Sequence, residues 1–165
     1  MKTVNQQISN KIEWDRHFFA IADVIASKSR DSSTKVGAVI IGPDKEVRST
    51  GYNGLPRGVQ YNAARTEQRP EKYYWFEHAE RNAIFNAARI GTPLKGCTIY
   101  LTSISKKGKG LSPCPGCTRA IIQSGISSIV MLKNQAESYR TQEYGNRSVV
   151  MLREAGINIR YVIID

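Results

Sequence analysis

Hydrophobic residues along the chain switch between the spacing of a helix and the short apolar runs of buried strands. Residues 13–29 carry apolar positions three and four apart, which indicates an amphipathic helix. Residues 35–41 and 46–52 are strand-like, and the GPDK turn between them predicts a hairpin. A polar loop that contains glycine and arginine follows, from residue 53 to about residue 69.

The remainder of the chain alternates helix and strand in a regular order. We predict helices at residues 78–90, 114–124 and 137–154, separated by strands at residues 97–103, 127–132 and 157–164. After the opening hairpin the order is βαβαβαβ, which predicts a three-layer α/β/α fold. Because no internal repeat or low-complexity segment interrupts this order, we expect residues 1–165 to form a single domain.

Composition excludes a membrane-spanning protein and a disulfide-rich secreted one. No apolar run approaches the ~18 residues of a membrane-spanning helix, and the first eleven residues lack the apolar stretch of a secretory signal. The three cysteines do not form the pattern of a disulfide framework. We therefore expect a cytoplasmic protein without a membrane partner.

The net charge of the chain favours anionic partners. It is +10, from 24 basic and 14 acidic residues, which suits nucleotides or nucleic acid. A solvated basic surface explains the same charge equally well. The longest basic run is KKGK at residues 106–109, so a nucleic-acid-binding arm is not indicated.

His78, one of only two histidines in the chain, stands two residues before Glu80 at the start of a predicted helix. Side chains two apart on a regular helix point to different sides. The first turn relaxes this restriction because the chain enters it from a non-helical conformation. Both side chains can therefore approach a common target.

A second motif, LSPCPGC, places Cys114 and Cys117 three residues apart at the start of another predicted helix, with Pro113 and Pro115 around the first cysteine. Helix starts lower thiol pKa values, and thiolates are zinc ligands. With His78 they make three ligands, which leaves a fourth position for water, as in catalytic zinc sites.

Alternative interpretations of these residues are weaker. A closed structural site would need Cys97 or His17 as a fourth ligand, but Cys97 begins a strand and His17 lies among aromatic and aliphatic residues. A redox pair is the other interpretation of a CxxC motif. The flanking prolines and the histidine partner disfavour it, so we predict an open zinc site.

The pattern H-x-E followed by P-C-x-x-C is the signature of zinc-dependent nucleobase deaminases. Zinc would activate the attacking water, and Glu80 would serve as the general acid and base, because it lies beside the metal without ligating it. In this mechanism the backbone N–H of Ala79, at the helix start, would hold the ring carbonyl oxygen.

Beyond this signature, the chain resembles the deoxycytidylate (dCMP) deaminases of the cytidine deaminase superfamily. The matching stretches span most of the chain, at residues 31–40, 49–58, 78–89, 96–102 and 112–126. The resemblance implies a five-stranded mixed sheet flanked by helices. It also implies hydrolysis of dCMP to dUMP with release of ammonia, which supplies dUMP for thymidylate synthesis.

The resemblance also implies substrate contacts. Asn53 would contact the sugar, and the strand residues from Val36 to Ala38 would line the base pocket. For the 5′-phosphate, polar and basic residues crowd the loop before the first strand, namely Lys28, Arg30, Ser33, Thr34 and Lys35. A solvated surface role remains the alternative for each of them.

Regulation is a further implication. The family's members are homo-oligomers, here expected to be a hexamer, activated by dCTP and inhibited by dTTP, each bound with Mg²⁺. Asn53 and Gly54 match the effector-binding segment, and Arg89 matches an arginine that couples the effector and catalytic sites. A strand-ending turn and a helix C-terminal charge are the plain alternatives.

Two departures from the family pattern bear on specificity. The family usually has proline and glutamine where this chain has Ser32 and Lys35, and KGKG at residues 107–110 lengthens the loop before the cysteines.

A tRNA adenosine deaminase or a single-stranded DNA cytosine deaminase carries the same zinc signature and stays open as an alternative. The GYNG segment and the long loop at residues 53–77 favour a free nucleotide. A non-enzymatic zinc module is disfavoured by Glu80.

Overall fold

A computed structural model describes residues 4–105, 112–133 and 139–164, which form a five-stranded mixed sheet between two layers of helices. The predicted three-layer α/β/α class is confirmed. The elements in chain order are α1 Val4–Ser27, β1 Thr34–Ile41, β2 Val47–Tyr52, α2 Ala63–Thr66, α3 Lys72–Trp75, α4 Ala79–Ile90, β3 Thr98–Ser105, α5 Pro115–Gln123, β4 Ser128–Leu132, α6 Tyr139–Glu154 and β5 Asn158–Val162.

The sheet has the order β2-β1-β3-β4-β5. Strand β1 pairs antiparallel with both β2 and β3, whereas β3, β4 and β5 are parallel. Ala38 of β1 lies between Gly51 of β2 and Leu101 of β3. The parallel half follows from the helical crossovers α5 and α6, since parallel neighbours need such connections.

Each face of the sheet is covered by an apolar cluster. Because side chains alternate along a strand, Val36 and Ala38 of β1 join the cluster under α4, α5 and α6. Val39 and Ile41 join the cluster under α1, which contains Phe18. Each helical layer therefore packs on the sheet through its own set of side chains.

Helix α4 packs unusually close to the sheet. Its sheet-facing positions are small, with Ala79, Ala83 and Ala87 all fully buried. On the opposing strand β2, a Cβ built at Gly51 would lie 2.4 Å from the carbonyl oxygen of Ala79. The first turn of α4 is therefore held against backbone rather than against flexible side chains.

Two predicted boundaries differ from the structure, while the others agree within two residues at each end. Helix α1 begins at Val4 rather than at residue 13. Val4, Ile8 and Ile12 are spaced four apart and continue the helical period toward the start of the chain, a signal that the prediction left out. The long loop predicted at residues 53–77 contains the one-turn helices α2 and α3. Asn62 caps α2 by accepting a hydrogen bond from the N–H of Ala64 at 2.9 Å.

The lengthened stretch at residues 107–110, and residues 137–138 of the predicted sixth helix, lie outside the described ranges. Among the helices within those ranges, none has the length and apolar character that crossing a membrane requires.

Candidate active site

His78 is the residue at which the chain enters α4. Its extended backbone conformation (φ −79°, ψ 152°) makes it the N-cap residue. The preceding residue, Glu77, exchanges two backbone hydrogen bonds with Gly54, of 2.8 and 3.0 Å. The Glu77 carboxylate also accepts a hydrogen bond from the N–H of His78 at 2.7 Å. These contacts fix the direction in which His78 leaves the backbone.

Cys114 occupies the same position at the start of α5. It is the N-cap residue, and its sulfur accepts a hydrogen bond from the N–H of Cys117 at 3.4 Å. Pro115 follows at the first helical position, where a missing N–H costs nothing. The two cysteine sulfurs therefore lie together at the first turn of α5, as the spacing predicts.

The two helix starts bring the three predicted ligands together. His78 Nδ1 lies 3.6 Å from Cys114 Sγ and 3.4 Å from Cys117 Sγ, and the three ligand atoms all lie within 4.8 Å of one another. A tetrahedral zinc ion, with bonds of about 2.3 Å to sulfur and 2.0 Å to nitrogen, requires a nitrogen–sulfur separation of roughly 3.5 Å. The donor set therefore fits zinc in both chemistry and spacing.

Neither alternative ligand joins this group. Cys97 is buried in the core, with its sulfur 4.0 Å from the carbonyl oxygen of Pro93. The ring of His17 packs against Trp14, with centroids 5.6 Å apart. Within residues 4–105, 112–133 and 139–164, no other group of three histidine, cysteine or acidic side chains comes together in this way.

Protonation within the cluster is unequal. A hydrogen bond from Cys117 and a further one from His78 lower the pKa of Cys114 to about 3, against the opposing effect of burial. The pKa of Cys117 is raised, because it donates to the Cys114 sulfur and is itself buried. Hydrogen bonding to Cys114 also raises the pKa of His78. Zinc binding would displace the protons that these groups share.

Glu80 lies in the first turn of α4 and is 2% exposed. Burial raises the pKa of its carboxyl above the ordinary value, and the charge of the nearby His78 opposes this only in part. The opening turn of α4 thus carries an exposed imidazole and a buried carboxyl two residues apart. That His78 binds a metal while Glu80 serves a group beside it stays a prediction.

The predicted pocket residues Val36 and Ala79 lie in the same apolar cluster. Asn53 is buried beside them, and its side chain binds the backbone of β1. Its oxygen accepts from the N–H of Val36 at 2.7 Å, and its nitrogen donates to the carbonyl of Thr34 at 2.9 Å. Asn53 therefore positions the start of β1, a role that the sequence does not reveal.

Lys35 is not brought to the cluster. Its side chain alternates with that of Val36, and its ammonium lies 3.4 Å from the carbonyl oxygen of Ser27 at the end of α1. It therefore points to the α1 face of the sheet, opposite α4 and α5. Of the other residues in the proposed anion loop, Lys28 and Arg30 are exposed, and the Ser33 hydroxyl bonds to Asp31.

The predicted effector residues lie at opposite ends of α4. Gly54 is buried and pairs with Glu77 just before the helix, whereas Arg89 is exposed in the last turn. The length of the helix separates them by roughly 15 Å. Gly54 and Arg89 therefore do not share one local pocket within the described chain.

Several supporting residues have no signal in the sequence pattern. Ser148 of α6 is fully buried and donates a hydrogen bond to the carbonyl oxygen of Pro113 at 2.7 Å, next to Cys114. Arg81 donates to the Glu77 carboxylate at 2.7 Å. Lys72 reaches Asp31 across 41 residues of sequence. Such contacts depend on tertiary packing, so motif spacing alone cannot find them.

Comparison with known proteins places the chain among deaminases. Residues 12–133 match the family model described as the cytidine and deoxycytidylate deaminase zinc-binding region. An "Uncharacterized deaminase in luxG 3'region" of Aliivibrio fischeri is 38% identical over 93% of this chain and 96% of that protein. Human deoxycytidylate deaminase is 30% identical over 92% of this chain and 81% of the human protein.

The fold has solved relatives. The apo crystal structure of dCMP deaminase from the cyanophage S-TIM5 superimposes with a TM-score of 0.68 at 22% identity. The match covers 91% of this chain and 98% of that one. At this identity the likeness concerns the fold.

Proposed function

The chain belongs to the cytidine and deoxycytidylate deaminase family, and from this membership we propose that it hydrolyses dCMP to dUMP and ammonia. The observation that carries the proposal is the group of one imidazole and two thiols with a buried, non-ligating carboxyl two residues from the imidazole. Two relatives carry the name deoxycytidylate deaminase, which supports dCMP as the substrate rather than another cytosine compound.

In the proposed mechanism, His78, Cys114 and Cys117 hold zinc, which supplies an activated water when bound. Glu80 would take one proton from that water and deliver it to ring nitrogen 3 of cytosine, while the water oxygen bonds to carbon 4. It would then move the second proton of the same oxygen to the amine, so that the bond between carbon 4 and the amine nitrogen breaks, ammonia leaves and the oxygen remains as the new carbonyl of uracil. The N–H of Ala79 holds the ring carbonyl oxygen, and Val36 lines the base pocket.

Glu80→Gln tests this division of roles. We expect the variant to retain about one zinc ion per chain, because residue 80 is not a ligand, and to lose at least about 100-fold in kcat on dCMP. Glu154→Gln is the matched control, since it makes the same chemical change at an exposed residue of α6. Turnover by Glu80→Gln close to that of the control would refute the mechanism.

Substrate choice is tested on the wild-type protein. Ammonia release is measured with dCMP, deoxycytidine, dCTP and a tRNA anticodon stem, each at several concentrations. The proposal requires that dCMP have the highest kcat/KM. Preferential turnover of the tRNA stem would instead favour the adenosine deaminase alternative, and preferential turnover of deoxycytidine would argue against recognition of the 5′-phosphate.

Regulation forms a separate part of the proposal. By resemblance, dCTP activates and dTTP inhibits the enzyme, each bound with Mg²⁺, in a homo-oligomer that is a hexamer. Asn53, Gly54 and Arg89 are the proposed effector residues, while Thr34 and Lys35 are the proposed phosphate contacts. Initial rates at sub-saturating dCMP with each triphosphate, and light scattering for the oligomeric state, test these statements independently of the chemistry.

A further inference from the structure

Lys72 is buried in the second half of the segment between β2 and α4. It is 5% exposed, although lysine is rarely buried without a partner. Its ammonium lies 3.0 Å from both carboxylate oxygens of Asp31 and 2.6 Å from the hydroxyl oxygen of Ser33. All three ammonium hydrogens therefore have an acceptor, which offsets the loss of hydration.

Asp31 organises the turn that precedes β1. Its Oδ1 accepts hydrogen bonds from the N–H of Ser33 at 2.8 Å and the N–H of Thr34 at 3.1 Å. The carboxylate is itself 5% exposed. Lys72 thus attaches its own segment to a turn whose backbone is already closed around Asp31.

Besides Lys72, the segment contacts the rest of the chain through Arg57, which donates to Asn86 of α4 at 2.6 Å, and through Tyr61, whose ring lies under Arg30. The Gly54–Glu77 pair closes it, and the helix that contains Lys72 is a single turn, too short to be stable on its own. Lys72 provides an anchor between the two ends, because its partners Asp31 and Ser33 lie outside the segment.

Both joined parts border the candidate site. The turn continues into Thr34 and Val36, which bond to Asn53. The segment ends at Glu77, whose carboxylate accepts a hydrogen bond from the N–H of His78, the proposed zinc ligand. A change in the distance between the turn and the segment would therefore alter the mouth of the pocket while leaving the cysteines in place.

We infer that Lys72 is a positioning residue, which holds the 55–76 segment and the 31–34 turn together as two walls of the substrate pocket. The inference rests on the proposed deaminase activity for its kinetic consequence, although the anchoring itself does not. Loss of the ammonium should release the segment and weaken substrate binding more than the chemical step.

The experiment compares Lys72→Met with wild type, and uses Lys95→Met as the matched control at an exposed lysine. In zinc-loaded Lys72→Met we expect KM for dCMP to rise about tenfold or more, with kcat within about threefold and zinc content unchanged. Trypsin should cut faster at Arg57 and Arg65, even though the variant lacks the cleavage site at residue 72. Lys95→Met should match wild type in KM and in cleavage rate.

Ser33→Ala is a milder variant for the case in which Lys72→Met does not fold. It removes one of the three acceptors and should raise KM and the trypsin cleavage rate in the same direction, by about two- to fivefold. Unchanged KM and unchanged cleavage in the folded variant would overturn the inference, and so would a loss of zinc together with kcat.

The proposed function and this inference fail separately. If wild type does not deaminate dCMP, the proposed function fails, and the trypsin cleavage rates decide whether Lys72 anchors the segment. If wild type deaminates dCMP and Lys72→Met behaves as wild type in both measurements, only the inference is wrong.

Discussion

Replacing Gly51 with alanine should damage both stability and catalysis, because this glycine lies against the first turn of α4. The added Cβ would lie 2.4 Å from the carbonyl oxygen of Ala79 and 2.3 Å from the N–H nitrogen of Ala83. Ordinary van der Waals contact of a Cβ begins at 3.4 Å, so the helix and the strand must separate by roughly 1 Å.

The loss in free energy of unfolding depends on which atoms the added Cβ contacts. Overpacking costs about 1–3 kcal/mol, and backbone atoms cannot rotate away as a side chain can. The lower entropy of the unfolded alanine chain offsets about 0.4–1 kcal/mol of this. We expect the free energy of unfolding to fall by about 2 kcal/mol, which lowers Tm by roughly 4–8 °C in a chain of this size.

The effect on catalysis should be larger than the loss of stability implies. Helix α4 carries His78 at its start and Glu80 in its first turn, and a displacement of 1 Å can cost up to about 100-fold in rate. Urea unfolding gives the stability, and kcat on dCMP is measured at zinc saturation, at a temperature where the variant remains folded.

Gly37→Ala is the matched control on the opposite face of the sheet. Its Cβ would lie 2.1 Å from the carbonyl oxygen of Ala22 in α1, a contact at least as severe. The loss of stability should be comparable. The added Cβ would point to α1, away from the face on which Val36 and Ala38 lie, and α1 carries none of the proposed ligands. We therefore expect kcat to stay within about fivefold of wild type. If Gly51→Ala keeps full kcat, or if Gly37→Ala loses as much, then the position of α4 does not control the site.

Two further predictions concern buried polar groups. Burial opposes ionisation of Asp31, but hydrogen bonds from the N–H of Ser33 and from Lys72 outweigh it and lower its pKa. The stability it contributes is therefore present above the unfolded pKa of about 3.9 and lost as pH falls through the folded value. Urea unfolding of wild type between pH 2 and 6 should show a steeper loss below about pH 4 than Asp31→Asn, and equal slopes would contradict this. Ser148→Ala should leave the Pro113 carbonyl without its buried partner, cost about 1–3 kcal/mol and speed zinc release to a chelator. Ser124→Ala, at the other end of α5, should release zinc at the wild-type rate, and equal release by both variants would refute the role of Ser148.

Much of the fold was predictable because the apolar pattern is regular. The strands β1, β3 and β4 are short apolar runs that match their burial in the structure, and the helices α4 and α5 carry a helical period that matches theirs. The single-turn helices in the 53–77 loop had no such signal, since four residues are too few for a period. They persist through tertiary contacts such as that of Lys72, and these join residues far apart in sequence.

The phosphate contact of Lys35 stays a prediction, and the sequence carried a second signal about the direction of this side chain. Lys35 lies close in sequence to Ser33 and Arg30, which suggested one anion-binding loop. Strand alternation predicts instead that Lys35 and Val36 point to opposite faces, and the contact of Lys35 with the end of α1 agrees with alternation. Where a loop residue is already part of a strand, its face determines what it can reach more than its sequence neighbours do.

The candidate site depends both on residues at two helix starts and on contacts with residues far away in the sequence. His78 and Cys114 are both N-cap residues, and the positive end of a helix favours the thiolates that zinc requires. These features depend on a few consecutive residues, which is why motifs could predict that the three proposed ligands come together. The orientation of the two helix starts depends on more distant contacts. The backbone pairing of Gly54 with Glu77 holds the start of α4, and the hydrogen bond from Ser148 to the carbonyl oxygen of Pro113 holds the start of α5. Motifs therefore identify what the site binds, whereas the precision of the site depends on packing that only the folded chain reveals.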